Sequence, residues 1–155
     1  MKRFSQLLVT LILKTSRNDK ISVLSEYFKY TPDPDRGYAL GALTGTLSIP
    51  GIKPSLLRTL VAERIDQELF NLSYDYVGDL AETVSLIWPD TAQYKEKLPS
   101  ITEFISNMEG TPKGKLSALI SSFLDNASSN ERWAMIKFAT GGLRVGVSAR
   151  LAKTA

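Results

Sequence analysis

Glu131-Arg-Trp-Ala-Met-Ile-Lys-Phe-Ala-Thr-Gly-Gly-Leu-Arg-Val-Gly-Val-Ser-Ala-Arg-Leu-Ala-Lys-Thr-Ala155 decides how the chain is read. Trp133, Ile136 and Ala139 or Thr140 fall at i, i+3 and i+6/7, with Met135 and Phe138 widening the stripe, so the first half predicts an amphipathic helix. Gly141-Gly142 ends it, because glycine takes the left-handed conformation without a Cβ clash. Leu143-Arg-Val-Gly-Val147 alternates like an extended link, and Ser148 is the expected N-cap of a further helix carrying Arg150 and Lys153. From Gly142 onward there are three cations, Arg144, Arg150 and Lys153, and no acid. Backbone N–H groups at a helix start, cations beside them and Gly146 permitting close approach suit a phosphate backbone. A glycine-rich link between helices with solvated cations is the plainer reading of the same residues.

Working outward, helical stripes recur along the chain and strand patterns do not. Phe4, Leu7, Leu8, Leu11 and Ile12 predict a helix over about 2–15, and Ile21, Leu24, Tyr27 and Phe28 a second one ending near Tyr30, with Asn18 as cap. Thr31-Pro-Asp-Pro34 forces an extended approach, after which Asp33 is the expected cap of a helix with Pro34 at its first position. That helix, about 34–45, carries Gly37, Gly41 and Gly45 at four-residue spacing, which predicts close packing of a neighbouring helix. Lys53-Pro-Ser55 opens a helix with Leu56, Leu57, Leu60 and Val61. A short helix over about 67–72 and a longer one over about 74–88, stopped by Pro89, follow. Pro99 starts a helix to about Glu109, and Thr111-Pro-Lys-Gly-Lys115 opens another to about Asn126, with Thr111 as cap. Trp88, Trp133, Phe138 and Tyr38 fall on apolar stripes and are assigned to the core. The count is eight or nine helices, an all-α single compact domain over residues 1–155.

Composition narrows the chemistry. With 155 residues there is one domain's worth of chain, enough for one sizeable core. Cysteine is absent, which removes disulfides and thiolate metal sites and fits a cytoplasmic location. Histidine is absent too, which removes histidine acid/base chemistry, Ser-His triads and the usual zinc sets. Met1 to Leu13 is read as an amphipathic helix rather than a signal peptide, since Ser5, Gln6 and Thr10 interrupt the apolar run. No stretch approaches the roughly 20 apolar residues that cross a bilayer. Asp75, Asp79 and Glu82 at i, i+4 and i+7 would share one helix face, read as solvated rather than metal-binding.

The net charge of +3 is unevenly distributed. Residues 1–60 hold nine Lys/Arg and four Asp/Glu, residues 61–109 three and ten, and residues 110–155 seven and two. The ends are basic and the middle acidic, so ends that meet in the fold would make one cationic face suited to nucleic acid. Solvated helix faces would account for the same counts. Lys53 and Arg58 near one helix start, and Lys113 and Lys115 at another, stand where the helix dipole disfavours cations unless an anion is near.

Three segments carry a family resemblance: Thr140-Gly-Gly-Leu-Arg-Val-Gly-Val-Ser148, Thr31-Pro-Asp-Pro-Asp-Arg-Gly-Tyr-Ala-Leu-Gly-Ala-Leu-Thr-Gly45 and Tyr74-Asp-Tyr-Val-Gly-Asp-Leu-Ala-Glu-Thr83. The chain resembles the N-terminal DNA-binding domain of ATP-dependent DNA ligases, most of all the bacterial ones. The resemblance implies a helical module that grips nicked double-stranded DNA through phosphates and the minor-groove side during nick sealing in repair, recombination and replication. It also implies ATP and Mg2+ for the full-length enzyme, and a nucleotidyltransferase domain and an OB-fold domain as partners outside this chain. The expected DNA contacts are Arg144, Gly146, Arg150 and Lys153, then Lys53, Arg58, Lys113 and Lys115. The family's adenylated lysine lies in a Lys-x-Asp-Gly motif, and no Asp-Gly dipeptide occurs here, so this segment is expected to be non-catalytic alone, as a fragment or a stand-alone relative. The rivals are a helical protein-interaction module using the acidic middle and, less well supported without any convergent catalytic set, a helical enzyme.

Overall fold

The computed structural model describes residues 1–47, 51–90, 97–141, 143 and 145–155. These form ten helices and no strand: α1 (Lys2–Leu13), α2 (Arg17–Tyr30), α3 (Asp35–Thr44), α4 (Pro54–Arg64), α5 (Gln67–Val77), α6 (Leu80–Ile87), α7 (Ile101–Gly110), α8 (Lys113–Asp125), α9 (Ser129–Thr140) and α10 (Ala149–Thr154). The all-α expectation holds, with one or two helices more than the stripes suggested.

Helix α9 is the hub. Arg132, Ala134, Met135, Ile136, Phe138 and Ala139 are all buried, so it is covered nearly all round, as a central helix must be. It is fixed at both ends. Ser128 and Glu131 make a reciprocal capping box at its start, and Gly141 closes it in the left-handed conformation at φ 75°. α1 and α6 pack along it. The Phe138 ring takes Phe4 edge-on at 5.7 Å and Phe104 at 5.9 Å, tying α1 and α7 to the same point.

Arg132 is the largest fully buried side chain. Its Nε donates to the Leu124 carbonyl (2.9 Å), one guanidinium nitrogen to the Trp88 carbonyl (3.2 Å) and the other to Asp90 (2.7 Å). The C-terminal ends of α6 and α8 therefore converge on one guanidinium, which supplies donors that helix-end carbonyls lack. Nearby, Arg64 pairs with Asp125 at 2.8 Å and lies 5.0 Å from the Trp88 ring centroid, while the Trp88 indole N–H donates to Asp125.

Several local expectations are corrected. The predicted long helix over 74–88 is two helices: Gly78 adopts φ 79° and ends α5, and the Asp79 carboxylate accepts the Glu82 N–H to start α6. Asp75, Asp79 and Glu82 thus do not share one helix face. Ser16, not Asn18, caps α2, accepting the Asp19 N–H. Asp33 does not cap α3; its carboxylate grips Arg36 at 2.6 Å, and α3 starts one residue later than expected, with Asp35 accepting the Thr102 N–H and hydroxyl. Thr111 does not cap α8 either, because its hydroxyl donates back to the Asn107 carbonyl of α7. The glycine spacing in α3 does not reflect a neighbouring helix. A Cβ on Gly37 would meet open space, one on Gly41 would touch Leu47 of the returning chain, and Gly45 is needed for its left-handed turn at φ 73°. The sequence also predicts a turn-rich link over 48–51 and a loop over 90–98, of which residues 48–50 and 91–96 lie outside the described residues. Trp88 and Phe138 are buried as assigned, and Tyr38 and Trp133 are half-buried against the core.

Candidate nucleic-acid interface

The last helix returns to the beginning of the chain. Val145, Leu151 and Ala152 are buried, and α10 packs on α2 and α3, so the two basic ends of the sequence meet. Ser148 caps α10 as expected, its hydroxyl accepting the Leu151 N–H at 3.1 Å. Gly146 adopts φ 69°, which favours glycine, and its carbonyl accepts from the Lys20 ammonium at 3.0 Å. A Cβ on Gly146 would come within 2.5 Å of that ammonium nitrogen. The close approach that Gly146 permits is therefore to Lys20.

Around this contact lies an open concavity of about 530 Å³ lined by three cations, Arg17, Lys20 and Arg150, together with Thr15, Gly146, Ser148 and Leu151, and by no acid. Among the described residues none of the three cations forms an ion pair within the chain. The Lys20 ammonium has three donors and spends one on Gly146. Arg17 and Lys20 open α2, where the helix dipole disfavours positive charge by a few tenths of a kcal/mol, so local electrostatics did not select them.

A fourth cation, Lys53, stands near Gly141 and Leu143. Gly51 is pressed onto α9, since a Cβ there would be 2.6 Å from the Ala139 carbonyl oxygen, and the Ile52 N–H donates to that oxygen at 3.2 Å. This fixes the start of α4, so that Lys53 lines a cleft of about 430 Å³ with Thr140, Gly141 and Leu143. Lys53 thus shares a cleft with Gly141 and Leu143, and Arg17 and Lys20 share one with Gly146 and Ser148.

The remaining expected contacts are placed less tightly. Arg144 lies outside the described residues. Lys153 is exposed in the last turn of α10, where its charge complements the helix end. Arg58 is exposed and lies over the Phe70 and Tyr74 rings, 5.7 and 5.0 Å from their centroids, a cation–π arrangement. Lys113 and Lys115 are exposed in the first turn of α8, and no described contact joins them to the other cations. Arg17 and Lys20 were missed in the sequence, although the dipole argument applied to Lys53 would have picked them out.

The acidic middle is partly spent on the basic C-terminal third. Asp79 pairs with Lys137 at 2.7 Å and Asp90 with Arg132. Burial works to raise the Asp79 carboxyl, but hydrogen bonds from Lys137 and from the Glu82 and Ala81 backbone outweigh it and hold the group below the usual aspartate value. These pairs draw acids towards α9. Among the described residues no group of His, Cys, Asp and Glu is arranged to hold a metal ion, and no helix is long and apolar enough to cross a membrane.

No curated protein and no solved structure matches the chain. A family model described as DNA ligase N terminus matches residues 1–155, the whole chain. A helical fold whose basic ends converge on a glycine-containing link agrees with that match, and the chain belongs to the DNA ligase N terminus family.

Proposed function

We propose that this domain grips duplex DNA by its phosphates, with Arg17, Lys20 and Arg150 around Gly146 as one contact set and Lys53, in the cleft with Gly141 and Leu143, as the next. The observation that carries the reading is the convergence of cations from both ends of the chain on one acid-free concavity. Phosphate contacts position a protein on a duplex without reading bases, so the grip is sequence-independent and helps hold a nicked substrate in place. Lys153, exposed on α10, and Arg144, near Gly146 in sequence, are further candidate contacts, and Gly146 takes part through the Lys20 ammonium held on its carbonyl. Arg58, Lys113 and Lys115 are accessory contacts.

Nick sealing, with ATP and Mg2+, falls to a nucleotidyltransferase domain outside these residues, in bacterial repair, recombination or replication. The absence of an Asp-Gly dipeptide, and so of the Lys-x-Asp-Gly signature, supports that division. The test is fluorescence anisotropy of the purified chain on nicked and intact duplex. Arg150→Glu and Lys20→Glu should each weaken binding to both substrates while helical circular dichroism stays unchanged; unaltered affinity in both variants would remove this concavity from the interface.

A further inference from the structure

Two patches of exposed apolar side chains lie outside the set of cations proposed to grip DNA. One is a groove between α1, α6 and α9 where Ile12, Leu13 and Leu86 are exposed beside Val9 and Trp133. The other is the outer face of α5, and it is the better defined.

Helix α5 has two apolar faces. Phe70 is buried, with Tyr74 and Val77 half-buried, on the side turned to the rest of the fold, where Arg58 of α4 covers the rings. Leu69, Leu72 and Tyr76 stand at i, i+3 and i+7, within about 60° of one another on a helical projection. They are 51%, 63% and 93% exposed. Scattered exposed leucines are ordinary, but a register of three large side chains along one helix is what a partner helix packs against. Glu68 and Asp75 run beside this stripe on the projection, Asp66 caps the helix, and α5 contains no Lys or Arg.

We propose that the outer face of α5 docks a cationic amphipathic helix of a protein partner, with apolar side chains on Leu69, Leu72 and Tyr76 and Lys or Arg against Glu68 and Asp75. The charge selects this occupant. Duplex DNA and an anionic lipid surface are repelled by the acids, and a two-fold pairing of α5 with its own copy would bring equivalent acidic rows to one interface. The docking face differs from the phosphate grip in residues and in sign of charge, so one chain can hold DNA and the partner helix at once.

The test uses two synthetic helical peptides, one of leucine and lysine and one of leucine and glutamate, matched in apolar spacing and labelled for fluorescence anisotropy. The chain should bind the lysine peptide and not the glutamate peptide. Leu72→Ser with Tyr76→Ser should weaken binding at least tenfold, and Glu68→Lys with Asp75→Lys should reverse the preference. All four positions are exposed, and unchanged circular dichroism would show that the variants fold. Equal binding of the two peptides, binding unaffected by the serine pair, or amide shifts confined to the groove at Ile12, Leu13 and Leu86 would each overturn the proposal. None of these readouts involves DNA, so failure here leaves the phosphate grip standing.

Discussion

Replacing the buried arginine with Arg132→Met keeps most of the side-chain volume and removes every donor. Hydrogen bonds from a charged donor contribute about 1.5–3 kcal/mol each, and two of the acceptors, the Leu124 and Trp88 carbonyls, are helix-end groups that would be left short of donors. The Leu124 carbonyl keeps a second donor, the Ala127 N–H at 3.3 Å, which lowers its share. The Asp90 side chain is 75% exposed, so that ion pair adds at most about 1 kcal/mol. Methionine also avoids the desolvation of a guanidinium, which offsets part of the loss. The net is about 3 kcal/mol, a large fraction of the roughly 5–15 kcal/mol that holds a domain folded. At about 2–4 °C per kcal/mol for a chain of this size, the melting temperature should fall by ~6–12 °C in a scanning calorimetry or circular dichroism melt. A midpoint within ~2 °C of the parent would refute the idea that Arg132 joins the ends of α6 and α8.

Arg17→Glu separates stability from binding, because an acid in the first turn of α2 suits the helix dipole: the melting temperature should hold or rise slightly while DNA affinity falls in the same preparation. Glu82→Lys, on the acidic middle, should leave DNA affinity nearly unaltered by anisotropy. Gly146→Ala should destabilise by ~1–2 kcal/mol, since the residue stands at φ 69° and a Cβ would have to displace the Lys20 ammonium; denaturant titration reads it. By contrast Gly37→Ala, into open space on α3, should stabilise by about 0.5–1 kcal/mol in the same titration. The carboxyl of Asp79 is held below its unfolded value, so its contribution is present near neutrality and is lost as pH falls through the folded value. Asp79→Asn should therefore lower stability at pH 7 and flatten its loss below about pH 4, followed by melts across that range.

Most of the fold was legible because burial here follows helical period. Phe4, Leu7, Leu8 and Leu11 of the first stripe and the Met135, Ile136 and Phe138 cluster became core where the spacing put them, whereas Ile12, counted in the same stripe, is exposed at its edge. The break at Gly78 was hidden because apolar residues run on from Val77 through Leu80, Ala81 and Val84, so periodicity alone joined two helices that a left-handed glycine and an aspartate cap divide. Caps misassigned by a residue or two, at Asn18, Asp33 and Thr111, reflect competition among neighbouring polar groups, settled by contacts such as Asp33 with Arg36. In sequence Arg132 is one more polar residue in a first turn; its burial depends on where α6 and α8 end, which local sequence does not encode. For the same reason Arg17 and Lys20 could not be joined to Gly146 and Arg150 before the packing of α10 on α2 was seen.

On the proposed reading, this domain holds DNA through phosphates at the converged ends of its chain. Anisotropy of the chain on a nicked duplex across a range of salt concentrations tests it most directly. Each phosphate contact contributes a slope of about −0.9 in log K against log salt, so Arg17, Lys20 and Arg150 together should give about −2.7 or steeper, and Arg150→Glu should make the slope shallower by about one unit. A slope near zero, a slope the variant leaves unchanged, or no binding even at low salt would contradict the account.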